Sequence, residues 1–563
     1  SKSEKIWVML IVISVITASA PLFSSDLFWG ADAPAHLLRL EGTKDALLNK
    51  QFPVFIFPKN NNGYGLLGYM YPELFLYVPA LLRILRVSIP LTFNLLYLFI
   101  NVLTAAAAYI GSRGIFTEKR DGCIFVILYL LIPYRLENIY TRADYGETLA
   151  MAFIPLVLSG IYLTISENCH KARWKAIIYI TLGMTGLINS HILSTVMVSV
   201  IAVFYAVVFI RRIINKDSMY IIGASLVFTA VLNIGYIIPF IKMYSFGLNI
   251  SNQTGNTFGG KYSLIELIGI HDFSIGTAWG GISLIGVAGL ILFICNIWCE
   301  RNSEKNILDL FMRVSFVLAV VLFTLVSSWV PWAQLICTGP GILIKTTGIL
   351  QFAFRFMSVA APLITLGTVY YLHKLPLNWD KKRMMVLFII VLSYISVIPG
   401  IFGEIIADPY MNRLSGGASR RNLDEYWPEG ASEGMFNDTR LYWSSEDLLL
   451  SGYSKDGIRV EFDYYTLSDN AEWVEPPVLY YPGYKAFAET ADGTRYPLGV
   501  SQGYKYRARI DLPSPLSGSH VKMYYGGIWY FYIGYAISIL TAMVFSIMVY
   551  RTLLMQDRDL ENT

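Results

Sequence analysis

Tyr69-Met70-Tyr71-Pro72-Glu73-Leu74-Phe75-Leu76-Tyr77-Val78-Pro79-Ala80-Leu81-Leu82-Arg83-Ile84-Leu85-Arg86-Val87 decides how this chain is laid out. The run is apolar enough to be read as a membrane helix, yet it carries Pro72, Glu73, Pro79, Arg83 and Arg86. Proline interrupts the backbone ladder, and charges at the bilayer centre are costly. The run therefore reads as a re-entrant or interfacial helix, and that reading sets the side on which every later loop falls.

Around it the composition belongs to a polytopic membrane protein: 55% hydrophobic and 15% charged residues over 563, with mean hydropathy +0.50. Thirteen apolar runs of spanning or near-spanning length lie between residues 6 and 550. The basic connectors are 2–5, 113–120, 171–175, 211–216, 301–305, 374–383 and Arg551. Positive charge marks the cytoplasmic side. If 69–87 does not cross, all of these connectors fall on that side. About twelve crossings remain, and both termini are cytoplasmic. The first run lacks a convincing small-residue cleavage site and is expected to stay as a membrane helix.

The chain divides into a membrane body over 1–402, with an outer loop at 25–90, an extracytoplasmic domain over 403–526, and a last transmembrane helix with a short tail over 527–563. The 403–526 segment holds 18 acidic against 12 basic residues, although the whole chain is +4. It alternates like half-buried strands at 458–462, 478–481, 506–510 and 521–524, with turns at Pro482-Gly483, Asp492-Gly493 and Ser517-Gly518. A small β-sandwich is expected, preceded by an irregular connector over 408–440. The five cysteines lack metal-ligand spacing and point to neither a disulfide framework nor a zinc site. Nothing in the charge pattern calls for a nucleic-acid partner.

The polar residues of interest crowd the outer ends of the runs. Asp32, His36 and Arg39 recur at i, i+4 and i+7 and would share one helical face. The plainer reading makes Asp32 a helix N-cap. Tyr134-Arg135-Leu136-Glu137-Asn138 and Tyr140-Thr141-Arg142-Ala143-Asp144-Tyr145-Gly146-Glu147 place two arginines and three acids at one interface. They serve either a site or interfacial snorkelling and capping. Lys345 and Gln351-Phe352-Ala353-Phe354-Arg355-Phe356 set cations beside aromatics, and Asn189-Ser190-His191 forms a tight polar turn, in which His191 is a ligand or a cap.

These motifs, together with Gln51-Phe52-Pro53, Tyr71-Pro72, Tyr480-Tyr481-Pro482-Gly483-Tyr484 and Tyr524-Tyr525-Gly526-Gly527, resemble a bacterial polytopic family labelled 6-pyruvoyl-tetrahydropterin-synthase-related membrane proteins. That family is similar to the GT-C superfamily of membrane glycosyltransferases, including bacterial proteins that glycosylate teichoic acids. The resemblance covers about 6–550 and implies no pterin chemistry. It implies a lipid-phosphate-linked sugar donor, an outward-facing site and a first-loop carboxylate acting as base. The chain departs from the pattern at Ala31 and Ala33, where a further His or Asp is common. It also lacks the Trp-Trp-Asp motif of oligosaccharyltransferases, which argues against asparagine-linked transfer.

Inverting transfer needs a carboxylate to take the acceptor proton and cations to stabilise the departing phosphate. Asp32 is assigned as base, Glu147 or Asp144 as the second acid, and Asp26 is a weaker candidate. His36, Arg39, Arg135, Arg142, His191, Lys345 and Arg355 are assigned to substrate binding, with arginine suited to phosphate. No metal site is inferred, although a divalent cation bridged by Asp32 and a second-loop acid is compatible with the sequence. The partners expected are the bilayer, a polyprenyl-phosphate-linked sugar and a cell-surface glycopolymer or glycolipid. The competing class, a transporter or flippase of lipid-linked saccharides, predicts ionisable residues near the midplane. Here the spans are nearly charge-free at their centres.

Overall fold

The computed structural model describes residues 2–23, 30–166, 169–249, 262–267, 281, 283–299, 306–406, 425–467, 469–470 and 472–561. Asp26, much of the 242–278 loop and the 408–424 part of the connector lie outside these residues. Among the described residues six helices are long and apolar enough to cross a membrane: Ile89–Ile115, Tyr145–Ile165, Ile307–Val326, Ala353–Lys374, Trp379–Ile405 and Trp529–Thr552. Two bent pairs bring the number to eight, against the twelve expected. Lys119–Leu130 meets Pro133–Tyr140 at 45°, and Lys216–Leu232 meets Ile234–Tyr244 at 71°. The first bend falls at Pro133, whose ring and missing N–H break the ladder. Helices Ile192–Val208 and Ser283–Cys299 have 17 residues each and fall just short by length, whereas Lys2–Ala18, also of 17, carries Lys2, Glu4 and Lys5 as well.

The decisive run contains a 3-10 turn, Leu74–Leu76, followed by a short α-helix, Tyr77–Ile84, of 8 residues. At 1.5 Å per residue it reaches about 12 Å, far less than the roughly 30 Å of a hydrocarbon core. Pro79 and Ala80 face inward while Val78 and Leu81 are exposed, so one apolar side is left outward, as an interfacial helix requires. Arg83 is tied to Glu41 at 2.6 Å.

Four of the basic connectors, 2–5, 113–120, 171–175 and 374–383, meet at one end of the bundle. Lys119 pairs with Glu4 at 3.1 Å, His373 with Asp121 at 2.9 Å and Lys374 with Asp309 at 3.1 Å. Arg120 lies 3.7 Å above the Trp379 ring, and Lys175 donates to the Arg113 carbonyl.

At the other end nine strands between Tyr442 and Tyr525 form two antiparallel sheets. One runs in the order Leu448–Asp456, Arg459–Thr466, His520–Tyr525, Tyr484–Glu489, Arg495–Leu498. The second runs Tyr442–Trp443, Glu472–Glu475, Ala508–Leu512, Val500–Gln502. Alternation decides which side chains enter the core: Val460, Phe462, Tyr464 and Thr466 point inward. Asp492-Gly493 turns the hairpin in which Glu489 faces Arg495, with Gly493 at φ +82°. The expected strand at 478–481 is absent. It makes one isolated bridge, Leu479 to Arg507, because Pro476, Pro477 and Pro482 flank it and supply no N–H.

The β core continues into the 25–90 loop. Val54 to Phe57 and Tyr64 to Met70 are buried with the sheet residues, and Phe55 contacts Phe531 of the last helix at 5.6 Å. Arg507, only 1% exposed, donates to the Tyr64 hydroxyl at 2.6 Å, and Leu479 N donates to the Tyr64 carbonyl at 2.8 Å.

Candidate active site

The site is built where helix Pro133–Tyr140 ends and helix Tyr145–Ile165 begins. Arg142 N still donates to Glu137 O, after which Ala143 takes φ +55° and Asp144 N returns to Asn138 O. A non-glycine residue in that region costs about 1 kcal/mol or more, and such strain collects where side chains must be aimed. Asp144 then caps the next helix, its Oδ1 accepting from Glu147 N at 3.0 Å. The 25–90 loop is laid against this turn: Asp32 N donates to Arg142 O at 2.8 Å. Gly30 is required there, since a Cβ would stand 2.3 Å from the Arg142 carbonyl carbon.

Three carboxylates converge on the Arg142 guanidinium. Nη1 reaches Glu147 Oε2 at 2.9 Å, and Nη2 reaches Asp144 Oδ2 at 2.9 Å and Asp32 Oδ2 at 3.2 Å. Asn138 Oδ1 accepts from Nη1 at 2.7 Å. Side-chain exposure separates the acids: 40% for Asp32, 5% for Asp144 and none for Glu147. Asp32 occupies the N-cap position but makes no capping hydrogen bond, so its carboxylate is committed to Arg142 and to solvent. Asp144 and Glu147, expected as second acids meeting a substrate, lie beneath Arg142. Glu147 also accepts from Tyr134 at 2.5 Å.

His36 is buried, with Nε2 3.4 Å from Asp144 Oδ1 and its ring 4.5 Å from that of Tyr145. Arg39 shares the helical face but serves another partner. It binds Glu73 through Nε at 2.8 Å and Nη2 at 2.7 Å, and stacks 3.6 Å over Tyr71. His191 caps helix Ile192–Val208 through Ser194 N, its ring 5.9 Å from that of Tyr71. Arg355 approaches Glu147 at 3.6 Å and donates through Nη1 to Leu350 O and Gln351 Oε1. Its Nε is buried with no hydrogen-bond partner among the described residues.

Two expected binding residues stand elsewhere. Arg135 turns into the bundle, where Asn101, Thr104 and the Leu130 carbonyl receive its donors. The helix ends at Tyr140, so Arg135 and Arg142 do not share a face. Lys345 is exposed on helix Gly341–Leu350 and pairs with no acid of the cluster among the described residues. Sequence reasoning missed Glu73 as the partner of Arg39. The available signal was a lone carboxylate inside an apolar run, which needs a partner when buried.

Partial burial, then the neighbouring Asp144 charge, pushes the Asp32 carboxyl above its ordinary value, against Arg142 and His36. Burial acts the same way on Asp144, but Arg142, His36 and His191 outweigh it and hold Asp144 well below the usual range. Burial depresses His191 to about 4, so it is neutral at pH 7. Among the described residues no group of three His, Cys, Asp or Glu stands close enough to hold a metal ion.

No protein-family model matches the chain. No curated protein matches it either. Among solved structures it is similar to the arabinofuranosyltransferase AftD from Mycobacteria, with TM-score 0.46 and 13% identity over 71% of this chain and 27% of that one. It is also similar to the oligosaccharyltransferase of Archaeoglobus fulgidus solved with Zn and sulfate, with TM-score 0.37 and 13% identity over 70% of this chain and 52% of that one. The oligosaccharyltransferase AglB from Archaeoglobus fulgidus, solved with an inhibitory peptide and a dolichol-phosphate, gives TM-score 0.38 and 13% identity over 72% of this chain and 56% of that one. The chain thus spans about a quarter of the length of the first protein and about half that of the second.

Proposed function

We propose that this chain is a membrane glycosyltransferase of the GT-C kind that moves a sugar from a polyprenyl-phosphate donor to an extracytoplasmic acceptor: a glycopolymer, teichoic acid or glycolipid. The observation that carries the reading is that three carboxylates share Arg142 and only Asp32 opens to solvent. Asp32 takes the proton of the acceptor hydroxyl as its oxygen bonds to the anomeric carbon. The bond from that carbon to the phosphate oxygen breaks, its electron pair stays on the phosphate, and the configuration inverts. Asp144 and Glu147 position Arg142, and through it Asp32. The motif resemblance to the bacterial pterin-synthase-related family supports the same class. Gathering of four basic connectors at the opposite end supports cytoplasmic termini and an outward-facing site.

Arg355 is assigned to the departing phosphate, because its buried Nε, 3.6 Å from Glu147, has no hydrogen-bond partner among the described residues, while Arg142 is filled by four acceptors. Phe352 beside it offers an apolar surface for the isoprenoid chain. Arg355→Ala is expected to weaken binding of a polyprenyl phosphosugar about 10- to 100-fold, from the roughly 1.5–3 kcal/mol of a charge-assisted hydrogen bond. Arg355→Lys should recover only part, lacking the planar fork. Purified protein in nanodiscs, with radiolabelled donor, measures both affinity and transfer. Unchanged donor affinity in a folded Arg355→Ala protein would reject the phosphate role, and absence of transfer to every acceptor class would reject the function.

The base also sets a pH dependence. Only ionised Asp32 accepts a proton, so kcat/KM should rise with pH along a limb above the ordinary aspartate range. Asp144→Asn removes the like charge that raises Asp32 and leaves Arg142 closer to Asp32 alone. Both effects lower the Asp32 pKa, so the limb moves to lower pH. A limb that stays in place or moves upward assigns it to another group.

A further inference from the structure

The helix that begins at Asp32 ends 16 residues later at a second feature. There the chain Asn49 to Phe52 meets one end of the three central strands of the five-stranded sheet and the first turn of the last helix, enclosing a cavity of about 240 Å³. Three cations line it: Lys50 from the 25–90 loop, and Arg459 and Lys485 from the sheet. So do Phe52, Tyr524 and Tyr532, which are 64%, 39% and 40% exposed. No carboxylate lines the cavity, and none of the three cations is ion-paired with a described residue. Two of the three cations, Arg459 and Lys485, stand in a segment with an acidic excess, 18 against 12 over 403–526.

The walls are fastened together. Arg459 donates to the Asn49 carbonyl, and Lys50 adopts φ +60°. The Lys485 stem lies over Gly526, where a Cβ would stand 2.6 Å from Cδ. Uncompensated cations in a concave polar site attract an anion, and the exposed rings offer faces for the apolar side of a sugar. Exposed rings beside the cations suit a glycan better than a phospholipid headgroup.

We propose that this cavity binds a phosphate-bearing sugar unit of the chain that accepts the transferred sugar. The acceptor role rests on the function proposed above, whereas the binding itself does not. A 16-residue helix is about 24 Å long, so the cavity would hold an acceptor several units away from the end that Asp32 deprotonates. The enzyme would then select anionic chains at a distance from the reacting hydroxyl.

The test uses full-length protein in phosphatidylcholine nanodiscs and measures, without donor, binding of a phosphorylated oligosaccharide and of its dephosphorylated counterpart. Wild type should prefer the phosphorylated form and lose that preference as salt is raised. Arg459→Gln with Lys485→Gln should weaken it about tenfold or more, with unfolding temperature unchanged and transfer to a short neutral acceptor retained. Asp32→Asn should bind as wild type does. Equal affinity for the two oligosaccharides, or no effect of the double substitution, overturns the site. Displacement of the oligosaccharide when phosphatidylglycerol is added to the nanodisc overturns it in favour of a lipid headgroup. Intact binding in a protein that transfers nothing leaves the site standing and removes the function.

Discussion

Asp32→Asn should reduce sugar transfer by about 10²- to 10⁴-fold while leaving expression and thermal unfolding close to wild type. The first half follows from position: Asp32 is the one acid of the Arg142 cluster that an acceptor can reach, at 40% exposure. The second half follows from what the side chain does not do. It makes no capping bond to helix Ala33–Leu48, and its backbone N–H to Arg142 O is kept by asparagine. Asparagine also retains an oxygen for Arg142 Nη2, which still has Asp144. A half-exposed ion pair is worth at most about 1 kcal/mol, so folding should tolerate the change. If Asp32 were only a helix cap, substitution would leave transfer intact. Turnover assays at saturating donor, with unfolding followed on the same preparation, separate the two. Wild-type turnover would remove Asp32 from the mechanism.

The features legible in the sequence were those set by local pattern. Asp32, His36 and Arg39 do follow one another on a helical face, since His36 N donates to Asp32 O and His36 Nδ1 lies 3.5 Å from Arg39 Nη1. The segment from 69 to 87 forms too short a helix to cross because its prolines and charges forbid a longer one. What the pattern could not specify was pairing across distance. Arg142 meets Asp32 over 110 residues of separation, and Arg39 meets Glu73 over 34. Spacing alone left Arg135 and Arg142 equivalent. The turn at Ala143 separates them, and a positive φ at alanine has no sequence signature. Lys345 illustrates the opposite error, in which a charge beside aromatics remains on the exposed surface of its own helix.

Strain and charge coincide at this end of the bundle. Ala143 and Gln351 are both non-glycine residues at positive φ: Ala143 immediately follows Arg142 and Gln351 accepts from Arg355, the two arginines that approach Glu147. Gln351 accepts from Arg355, as Asn138 does from Arg142. Each guanidinium is therefore fixed by a side-chain amide as well as by an acid. Glu147 is the acid common to both, and it is wholly buried. A group so placed acts by holding two cations in register.

Removing the centre of this arrangement should have a larger structural effect than removing its exposed acid. Arg142→Gln leaves Asp144 and Glu147 buried without the cation that bonds both, and breaking a buried pair costs about 3–5 kcal/mol. Arg355 lies 3.6 Å from Glu147, too far to replace that bonding without movement. The unfolding temperature should fall clearly, and transfer should be lost, because Asp32 loses both its orientation and the charge that favours its ionised form. A compensating substitution tells structure from chemistry. Adding Glu147→Gln to Arg142→Gln replaces one stranded carboxylate by an amide that can pair with the new one, so part of the stability should return. Transfer should not return, since the orientation of Asp32 depends on the guanidinium. The coupling is read from a double-mutant cycle on unfolding, with turnover measured on all four proteins. Additive losses in stability would show that Arg142 and Glu147 do not depend on each other. Recovered turnover in the double variant would show that the cluster is scaffolding, and that the catalytic carboxylate acts without it.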